Sequence, residues 1–374
     1  MDERQRTRRP VSTASTEEKI AALDAHAEEL FDKEKYAAAS RQYEDALRLE
    51  KKANARAYFA GQIGICQYNL GNDREALKHL QKSAQLFDPR QPEFMPDMCG
   101  FVYFHLGSLF EYQGSVAKAL EARQKCEEYV QTQEKDTKWM LFAGLSRNFD
   151  AIGRHQEAIQ YYQKAIDVLS DNDPSLAYLY ESMADTHMKL NEYSEAINHF
   201  SKVLELDPDF ERKDEVYRKV AHCYDQITND RMALETYEKI LELKQITAKR
   251  ESLTWLYMKI AQCHFRLEQF EKSLLMTLEA LRRRPRNNQE KAEVRAFLTN
   301  NYYELGRYRD AVAEGGKTLK LARRFQNSNL FYFRMALSYF KLDDKKGFAK
   351  FRSLCKKLYP EDTWNSYLEK LAAG

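Results

Sequence analysis

Two neighbouring pairs of cysteine and histidine are the residues whose types come closest to metal chemistry. His222 directly precedes Cys223, and Cys263 directly precedes His264. Imidazole and thiolate groups bind zinc, but a site needs three or four ligands that converge on the ion. Neighbouring positions on a helix point about 100° apart, so neither pair directs both of its side chains at one ion. We therefore predict no metal site and no cofactor.

No pattern typical of an enzyme occurs elsewhere in the sequence. The phosphate-binding patterns G-x-x-x-x-G-K-[ST] and G-x-G-x-x-G are absent, and so are H-E-x-x-H and G-x-S-x-G. Carboxylates are numerous, but Lys or Arg accompanies them on polar helix faces, which is typical of a solvated surface. We therefore expect a protein without catalytic activity.

The composition indicates which elements carry these side chains. The chain has 374 residues, of which 31% are charged and 43% hydrophobic, with only 13 Gly and 8 Pro. Ala, Leu, Glu, Lys, Arg and Gln dominate, and these residues lose little rotamer freedom in a helix. No alternating strand pattern occurs, and no apolar run approaches the roughly 18 residues that a bilayer requires. We predict an all-α protein, and a charged N-terminus without a secretory signal favours a cytoplasmic location.

A pattern that recurs every 37 to 43 residues runs through almost the whole chain. Each copy has a small residue before an aromatic or aliphatic pair, with further small positions twelve residues earlier and seven residues later. A period between about 20 and 50 residues is typical of a solenoid. The marker positions are Ala39, Ala76, Ala119, Ala158, Ala196, Ala233, Ser273 and Ala311, with Phe348 as a degenerate ninth.

Each copy has the pattern of two antiparallel helices. In the fifth copy, Ala177–Leu190 has apolar residues at helical spacing, "NEY" forms a polar turn, and Ser194–Leu206 resumes the spacing. Asp207 and Pro208 then end the second helix, because proline lacks the next helical N–H group. The small positions suit the places where helices cross closely, since overpacking there costs about 1–3 kcal/mol.

This pattern resembles the tetratricopeptide repeat. "YESMADTHMKLNEYSEAINHFSKVLELDP" follows the family's order of small, small, aromatic, small and proline, and "FAGLSRNFDAIGRHQEAIQYYQKAI" and "GICQYNLGNDREALKHLQKSA" are nearly as close. The resemblance covers residues 20–360 and implies a right-handed superhelical solenoid of about nine helix pairs. The period exceeds the family's usual 34 residues, so the helices or the turns are longer. Glycines stand at the expected turn position at Gly71, Gly114, Gly153 and Gly306.

The six cysteines fit this packing. Cys66, Cys223 and Cys263 occupy the same position in their repeats, and Cys126 and Cys355 fall seven residues after a marker. No C-x-x-C pattern is present. Buried structural thiols in a reducing compartment are therefore predicted.

The repeats also define the expected organisation. A mobile tail at 1–17 precedes a solenoid at 18–360, with repeats that start near 20, 57, 100, 139, 177, 214, 254, 292 and 329. Residues 87–98 contain three prolines and form either a plain long connection or a hinge, and the plain connection is favoured. In residues 361–374, Trp364, Leu368 and Leu371 share one helical face, which predicts a capping helix over the last repeat.

In the family that the repeat resembles, the first helix of each repeat lines a concave groove. Its second, fifth, ninth and twelfth positions face the ligand, and here they hold charged, amide and aromatic residues. Such residues suit a partner segment, although plain solvent exposure explains each of them equally well. The groove residues predicted in this way are Arg147, Asp150, Tyr178, Glu181, Asp185, Arg218, His222, Asp225, Trp255, Lys259, Gln262, Asn300 and Tyr303.

Some family members bind the C-terminal carboxylates of chaperones through a clamp of Lys and Asn in successive repeats. Arg218 and Lys259 match this clamp in part, but the required asparagines are missing. A receptor for chaperone tails is therefore disfavoured.

The charge is uneven along the chain. Residues 244–374 hold 27 Lys and Arg against 14 Asp and Glu, a net +13, so the remainder holds 32 against 43, a net −11. Such a field steers an acidic protein, RNA or an anionic membrane surface, and head-to-tail self-association or a plain solubilising gradient stays equally open. The basic surface is predicted at Arg282, Arg283, Arg284, Arg286, Arg323, Arg324, Lys345 and Lys346.

The leading hypothesis is a scaffold or adaptor that holds an extended or helical segment of a partner protein. The alternative is an adaptor whose basic C-terminal repeats bind an acidic partner. Seventeen polar residues ahead of the repeats are too few for a helix-turn-helix, so no specific DNA binding is expected.

Overall fold

The computed structural model describes residues 15–129, 135–247, 253–325 and 328–373. These ranges form nineteen α-helices and no strand, as the composition predicts. The helices are α1 Thr16–Asp32, α2 Tyr36–Leu49, α3 Ala53–Asn69, α4 Asp73–Leu86, α5 Pro96–Tyr112, α6 Val116–Tyr129, α7 Lys135–Ala151, α8 His155–Val168, α9 Ser175–Lys189, α10 Tyr193–Leu206, α11 Lys213–Gln226, α12 Asp230–Thr247, α13 Thr254–Arg266, α14 Phe270–Arg282, α15 Asn288–Glu304, α16 Tyr308–Leu321, α17 Ser328–Lys341, α18 Lys345–Leu358 and α19 Trp364–Ala373.

The chain divides into two compact units. The first comprises residues 1–192 with 205–207, and the second comprises 193–204 with 208–374. In the first unit α1/α2, α3/α4, α5/α6 and α7/α8 pack as pairs, each pair also contacts the next, and α9 packs on α8. In the second unit α11/α12, α13/α14, α15/α16 and α17/α18 pack in the same manner.

The predicted N-terminal tail lies mostly outside the described residues, which begin at 15. Helix α1 begins at Thr16, two residues before the predicted start of the solenoid. The Ser15 side chain accepts a hydrogen bond from the Glu18 backbone N–H, and the Glu18 carboxylate accepts one from the Ser15 N–H. This capping box satisfies two of the free N–H groups at the start of the helix.

The turn inside each helix pair repeats one backbone conformation. Its central residue has a positive φ, and the next N–H bonds the carbonyl five residues back, as from Asn72 to Gln67 at 2.9 Å. This geometry ends a helix by satisfying its last carbonyls. Glycine serves at four of these turns, but the other five place a side chain in the left-handed region. The nine central residues are Glu34, Gly71, Gly114, Gly153, Asn191, Thr228, Glu268, Gly306 and Asp343.

The small marker residues lie where helices cross. Ala39, Ala76 and Ala158 have no exposed surface. A methyl group at Gly64 would lie 2.7 Å from the Leu80 Cγ atom, so only glycine allows α3 and α4 to approach this closely. All six cysteines are free and buried among these residues.

Residues 87–98 lie inside the first unit, where several contacts hold them. The Asn54 side chain donates to the Asp88 carbonyl at 3.1 Å and accepts from the Asp88 N–H at 2.8 Å. Phe94 contacts the rings of Phe87 and Tyr129, with centroids 5.9 and 5.7 Å apart. These contacts connect the segment to α3 and α6 of the first unit.

The last helix, α19, covers the end of the second unit. Leu368 is fully buried against α17 and α18, and Leu371 packs against the same cluster. The Trp364 ring stacks on Phe333 with centroids 4.8 Å apart. The helix therefore shields apolar surface that the final pair would otherwise expose. None of the helices in the described ranges is long and apolar enough to cross a bilayer.

Candidate functional site

The second unit has a concave cleft formed by the first helices of consecutive pairs, here called the α13–α15 cleft. Its volume is about 630 Å³. The side chains of α13 that line it, from Trp255 to Phe265, recur at spacings of three and four residues, so they share one helix face. The lining residues are Thr254, Trp255, Met258, Lys259, Gln262, Phe265, Arg266, Glu290, Glu293, Val294, Ala296, Phe297, Asn300, Phe325 and Leu330.

Aromatic side chains form the walls of this cleft. Phe265 on α13 and Phe297 on α15 lie with ring centroids 5.3 Å apart. The guanidinium of Arg218 lies 4.7 Å from the centroid of the Trp255 ring, and it also pairs with Asp214 at 3.1 Å. Because Arg218 occupies a face of the indole, the orientation of Trp255 is set within the protein itself.

The cations of the cleft are neutralised by the protein. Asp225 on α11 accepts bonds from Lys259 at 3.0 Å, Arg266 at 2.7 Å and the Tyr237 hydroxyl at 2.8 Å. Burial would raise the pKa of Asp225, but the bonds from Lys259 and Tyr237 hold it below the ordinary value. Arg266 also contacts Asp230. Both cationic side chains are therefore fixed by carboxylates.

The amide of Asn300 is the unusual polar group in the cleft. Only 6% of the residue is exposed, and its Oδ1 atom is buried without a hydrogen-bond partner in the described chain. The neighbouring Asn301 donates to the Thr277 hydroxyl at 3.2 Å and to the Phe297 carbonyl at 3.0 Å, whereas its own Oδ1 atom is also buried without a partner in the described chain. Buried polar groups nearly always have partners, so Asn300 calls for an explanation.

The first unit has a second concave cleft, here called the α7–α9 cleft, of about 700 Å³. Four of its eight lining residues are charged. The Asp150 carboxylate contacts Lys189 at 2.5 Å and His155 at 2.8 Å. The lining residues are Arg147, Asp150, Ala151, Tyr162, Ser182, Asp185, Met188 and Lys189.

A buried arginine holds the edge of the α7–α9 cleft. Arg123 on α6 is 3% exposed and contacts Glu111 at 2.5 Å and Asn148 at 2.5 Å. Glu111 also accepts a bond from Arg147 at 3.1 Å. Burial would raise the pKa of Glu111, but Arg147 and Arg123 hold it below the ordinary value. Arg147 is thus positioned by a carboxylate that is itself held from the interior, and Gly144 provides the room for Arg123.

The predicted groove residues fall into three groups. The clefts contain Arg147, Asp150, Asp185, Trp255, Lys259, Gln262 and Asn300. Outside the two linings stand Tyr178, Arg218, His222, Asp225 and Tyr303. Glu181 is only 2% exposed, so it does not belong to an accessible lining. Helical spacing identifies the face on which Glu181 stands but not how deeply that position is packed.

Sequence reasoning missed several apolar side chains of the α13–α15 cleft. Met258 and Phe265 stand at the fifth and twelfth positions of the same helix register, so that register contains a signal for them. Phe297, Phe325 and Leu330 join the cleft from other positions of α15 and from the segment around the start of α17. No spacing within one repeat identifies these three.

The predicted basic surface does not form one patch. Arg282–Arg286 follows α14 and Arg323–Arg324 follows α16, and the Gln289 side chain bonds the Arg324 carbonyl at 3.4 Å, so these two connections are neighbours. Lys345 and Lys346 begin α18 at the opposite end of the pair, and a 14-residue helix is about 21 Å long. We call the arginines at the two neighbouring connections the basic edge.

No group of three or more His, Cys, Asp or Glu side chains in the described ranges is arranged to hold a metal ion. The His222 ring instead packs edge-on to Tyr193, with centroids 6.3 Å apart. His264 is buried, and its Nδ1 atom lies 2.9 Å from the Gln269 side chain, at the turn after α13. Both histidines of the cysteine–histidine neighbours therefore have structural contacts.

Comparisons with known proteins identify the repeat. Models of the tetratricopeptide repeat match residues 137–209 and 331–362. The crystal structure of the C-terminal part of a TPR repeat-containing protein from Cytophaga hutchinsonii is similar, with a TM-score of 0.50 and 18% identity, over 71% of this chain and 97% of that one. The chain therefore contains tetratricopeptide repeats, and its described part has an all-helical repeat fold.

Two curated relatives share parts of the sequence. The protein CTR9 homolog of Arabidopsis thaliana is 30% identical over 107 residues, which is 29% of this chain and 10% of that protein. DnaJ homolog subfamily C member 7 of Homo sapiens is 26% identical over 223 residues, which is 57% of this chain and 42% of that protein. The chain thus spans less than half the length of either relative.

Proposed function

We propose that this protein is a non-catalytic scaffold that binds an extended or helical segment of a partner protein on the concave faces of its first helices. The observation that carries this proposal is the α13–α15 cleft. Aromatic and aliphatic side chains form much of its wall, and a few polar groups stand between them. Apolar anchors of this kind supply most of the binding energy in peptide recognition, and polar groups fix the register.

The proposal also draws on the repeat family. Its members are in general interaction scaffolds, and in each of the two clefts the first helices of consecutive pairs contribute side chains to one lining. The six cysteines are free and buried, which suits a reducing compartment and supports a proposed cytoplasmic location. The partner is a protein, and it needs no cofactor from this chain.

The test compares two pairs of substitutions on neighbouring helices. The cleft variant is Trp255→Ala with Met258→Ala. The control variant is Leu275→Ala with Leu278→Ala on α14, whose side chains are 58% and 41% exposed and lie outside the cleft. A partner captured from native lysate by the wild type and the control, but not by the cleft variant, supports the proposal. Equal capture by all three proteins contradicts it.

A second candidate function uses the basic edge to bind an acidic partner. Arg284, Arg286, Arg323 and Arg324 are exposed, and no carboxylate of the described chain lies within ion-pair distance of their guanidinium groups. Binding through these groups should weaken steeply with salt, because counterions compete for them. If capture is lost on changing these four arginines to glutamine and persists in the cleft variant, the basic edge is the binding surface.

A further inference from the structure

We propose that the α13–α15 cleft recognises one large apolar side chain together with the peptide group beside it, and that Asn300 is the residue that binds this peptide group. The inference rests on the proposed function, because it specifies what the cleft selects. It goes further because it names the chemistry of the ligand and assigns Asn300 as the residue that binds the peptide group. It also states that binding does not depend on the charge of the ligand.

The first argument is the unpaired amide. The Oδ1 atom of the Asn300 side chain is buried and makes no hydrogen bond within the described chain, and only 6% of the residue is exposed. A buried amide without partners destabilises the free protein. A peptide group presents one N–H donor and one carbonyl acceptor, so it can satisfy both ends of this amide. Asn300 lines the cleft, where such a group can reach it.

The second argument is the apolar wall. Trp255, Met258, Phe265 and Phe297 line the same cleft as Asn300, and Phe325 joins them from the segment before α17. Aromatic rings and a thioether contact a large apolar side chain favourably. The contact between Phe265 and Phe297 and the Arg218 guanidinium over Trp255 preform this wall.

The third argument is the balance of charge. Lys259 and Arg266 are paired with the two carboxylates of Asp225 and Asp230. At the other end of the cleft, Glu293 accepts a bond from Gln289, and Glu290 accepts one from the Arg286 backbone N–H beside the basic edge. The lining therefore holds two cations and two carboxylates, which leaves no net charge to select a ligand of one sign.

The experiment selects ligands without assuming a partner. A phage-displayed library of random dodecapeptides is panned against the full chain, and the enriched sequences are synthesised and measured by fluorescence anisotropy. We expect the enriched peptides to share one Phe, Trp, Leu or Met without a preferred net charge. Replacing that residue with Ala should weaken binding about thirtyfold or more. Affinity should change less than about twofold between roughly 0.1 M and 1 M salt.

Asn300→Leu tests the role of the amide, with Asn198→Leu on the exposed face of α10 as the matched control. We expect Asn300→Leu to weaken peptide binding about five- to tenfold and to raise the Tm of the free protein, because it removes an unpaired buried amide. If Asn300 has only a structural role, Asn300→Leu should lower the Tm or leave peptide binding unchanged. Asn198→Leu should change neither binding nor Tm by a comparable amount.

The outcomes separate the inference from the proposed function. Peptides that bind in a manner sensitive to Met258→Ala, but that share a charged residue or ignore Asn300→Leu, overturn this inference and leave cleft binding intact. An absence of any peptide whose binding depends on Trp255 or Met258 overturns both proposals. The combination of an apolar consensus, weaker binding by Asn300→Leu and a higher Tm supports the inference.

Discussion

Replacing Gly144 with alanine should destabilise the first unit, and the cause should be Arg123. A methyl group built at Gly144 lies 2.3 Å from the Arg123 Nε atom and 2.6 Å from its Cζ atom. The guanidinium cannot easily move away, because it is buried and bonded to Glu111 and Asn148. Overpacking of this kind costs about 1–3 kcal/mol. Alanine regains about 0.5–1 kcal/mol of helix propensity, so we expect a net loss of about 0.5–2 kcal/mol.

A second background isolates the contact. Arg123→Leu removes the two atoms that meet the new methyl group, and Leu80 occupies the corresponding position of the second helix pair. In that background Gly144→Ala should become neutral or stabilising by up to about 1 kcal/mol. Gly316→Ala on α16 is the matched control, because nothing lies within 4 Å of a methyl group there. It should stabilise the protein by about 0.5–1 kcal/mol.

The assay follows the unfolding of the first unit alone, because long repeat arrays do not unfold in one all-or-none step. Trp139 lies on α7, the helix of Gly144, and the chain has three Trp in total. With Trp255 and Trp364 changed to Phe in the Gly144 and Arg123 variants, urea unfolding of the first unit is read from Trp139 fluorescence. Gly316→Ala lies in the second unit, so its unfolding is read from Trp364 with Trp139 and Trp255 changed to Phe. If Gly144→Ala stabilises the protein as Gly316→Ala does, or destabilises it equally in both backgrounds, the packing of Arg123 against α7 is not as described.

Three further predictions concern turns, thiols and pH. Thr228 is β-branched and has φ 55°, so Thr228→Gly should raise the urea midpoint by an amount equivalent to about 1 kcal/mol. Gly71 has φ 74°, so Gly71→Ala should lower the midpoint. Midpoint shifts in the opposite directions would contradict the turn geometry. Burial raises the pKa of five of the six cysteine thiols to about 12. A thiol reagent should therefore modify the native chain slowly, and it should modify all six cysteines quickly in urea. A rapid reaction of the native chain would contradict this burial. Burial lowers the pKa of His105 from 6.5 to about 4, so at about pH 5 the unfolded chain binds a proton that the folded chain excludes, and stability falls as the pH drops from about 7 to 4. His105→Gln should reduce this fall when urea midpoints at about pH 7 and pH 5 are compared, and an unchanged pH dependence would refute it.

The helices and their pairing follow from sequence because they depend on local spacing. Apolar residues at helical intervals recur in every copy, and a small marker residue recurs in eight of the nine, so repetition reinforces a signal that is weak in any single copy. The turns are less predictable. Glycine marks four of the nine left-handed positions, but Glu34 and Thr228 adopt the same conformation without any compositional signal.

Some side-chain positions could not be predicted from sequence, because they depend on contacts between repeats. From sequence, Arg123 is expected on the surface, because its helix is rich in charge. In the structure its side chain is buried, because Gly107 and Gly144 on the helices to either side leave space for it. In the same manner, Phe325 and Leu330 join the α13–α15 cleft only because α17 follows α15 in space. The position of Trp255 and Asn300 could be predicted, because both follow the register of a single helix. The missing hydrogen bonds of Asn300 depend on the surrounding helices.

The most direct test of the central claim is site-specific photo-crosslinking to the captured partner. Benzoylphenylalanine is introduced at Met258, inside the α13–α15 cleft, and separately at Leu275 on the exposed face of α14. If the concave face binds the partner segment, position 258 forms a crosslink to the partner and position 275 does not. Crosslinks from position 275 alone, or from neither position while the partner remains bound, would contradict the account.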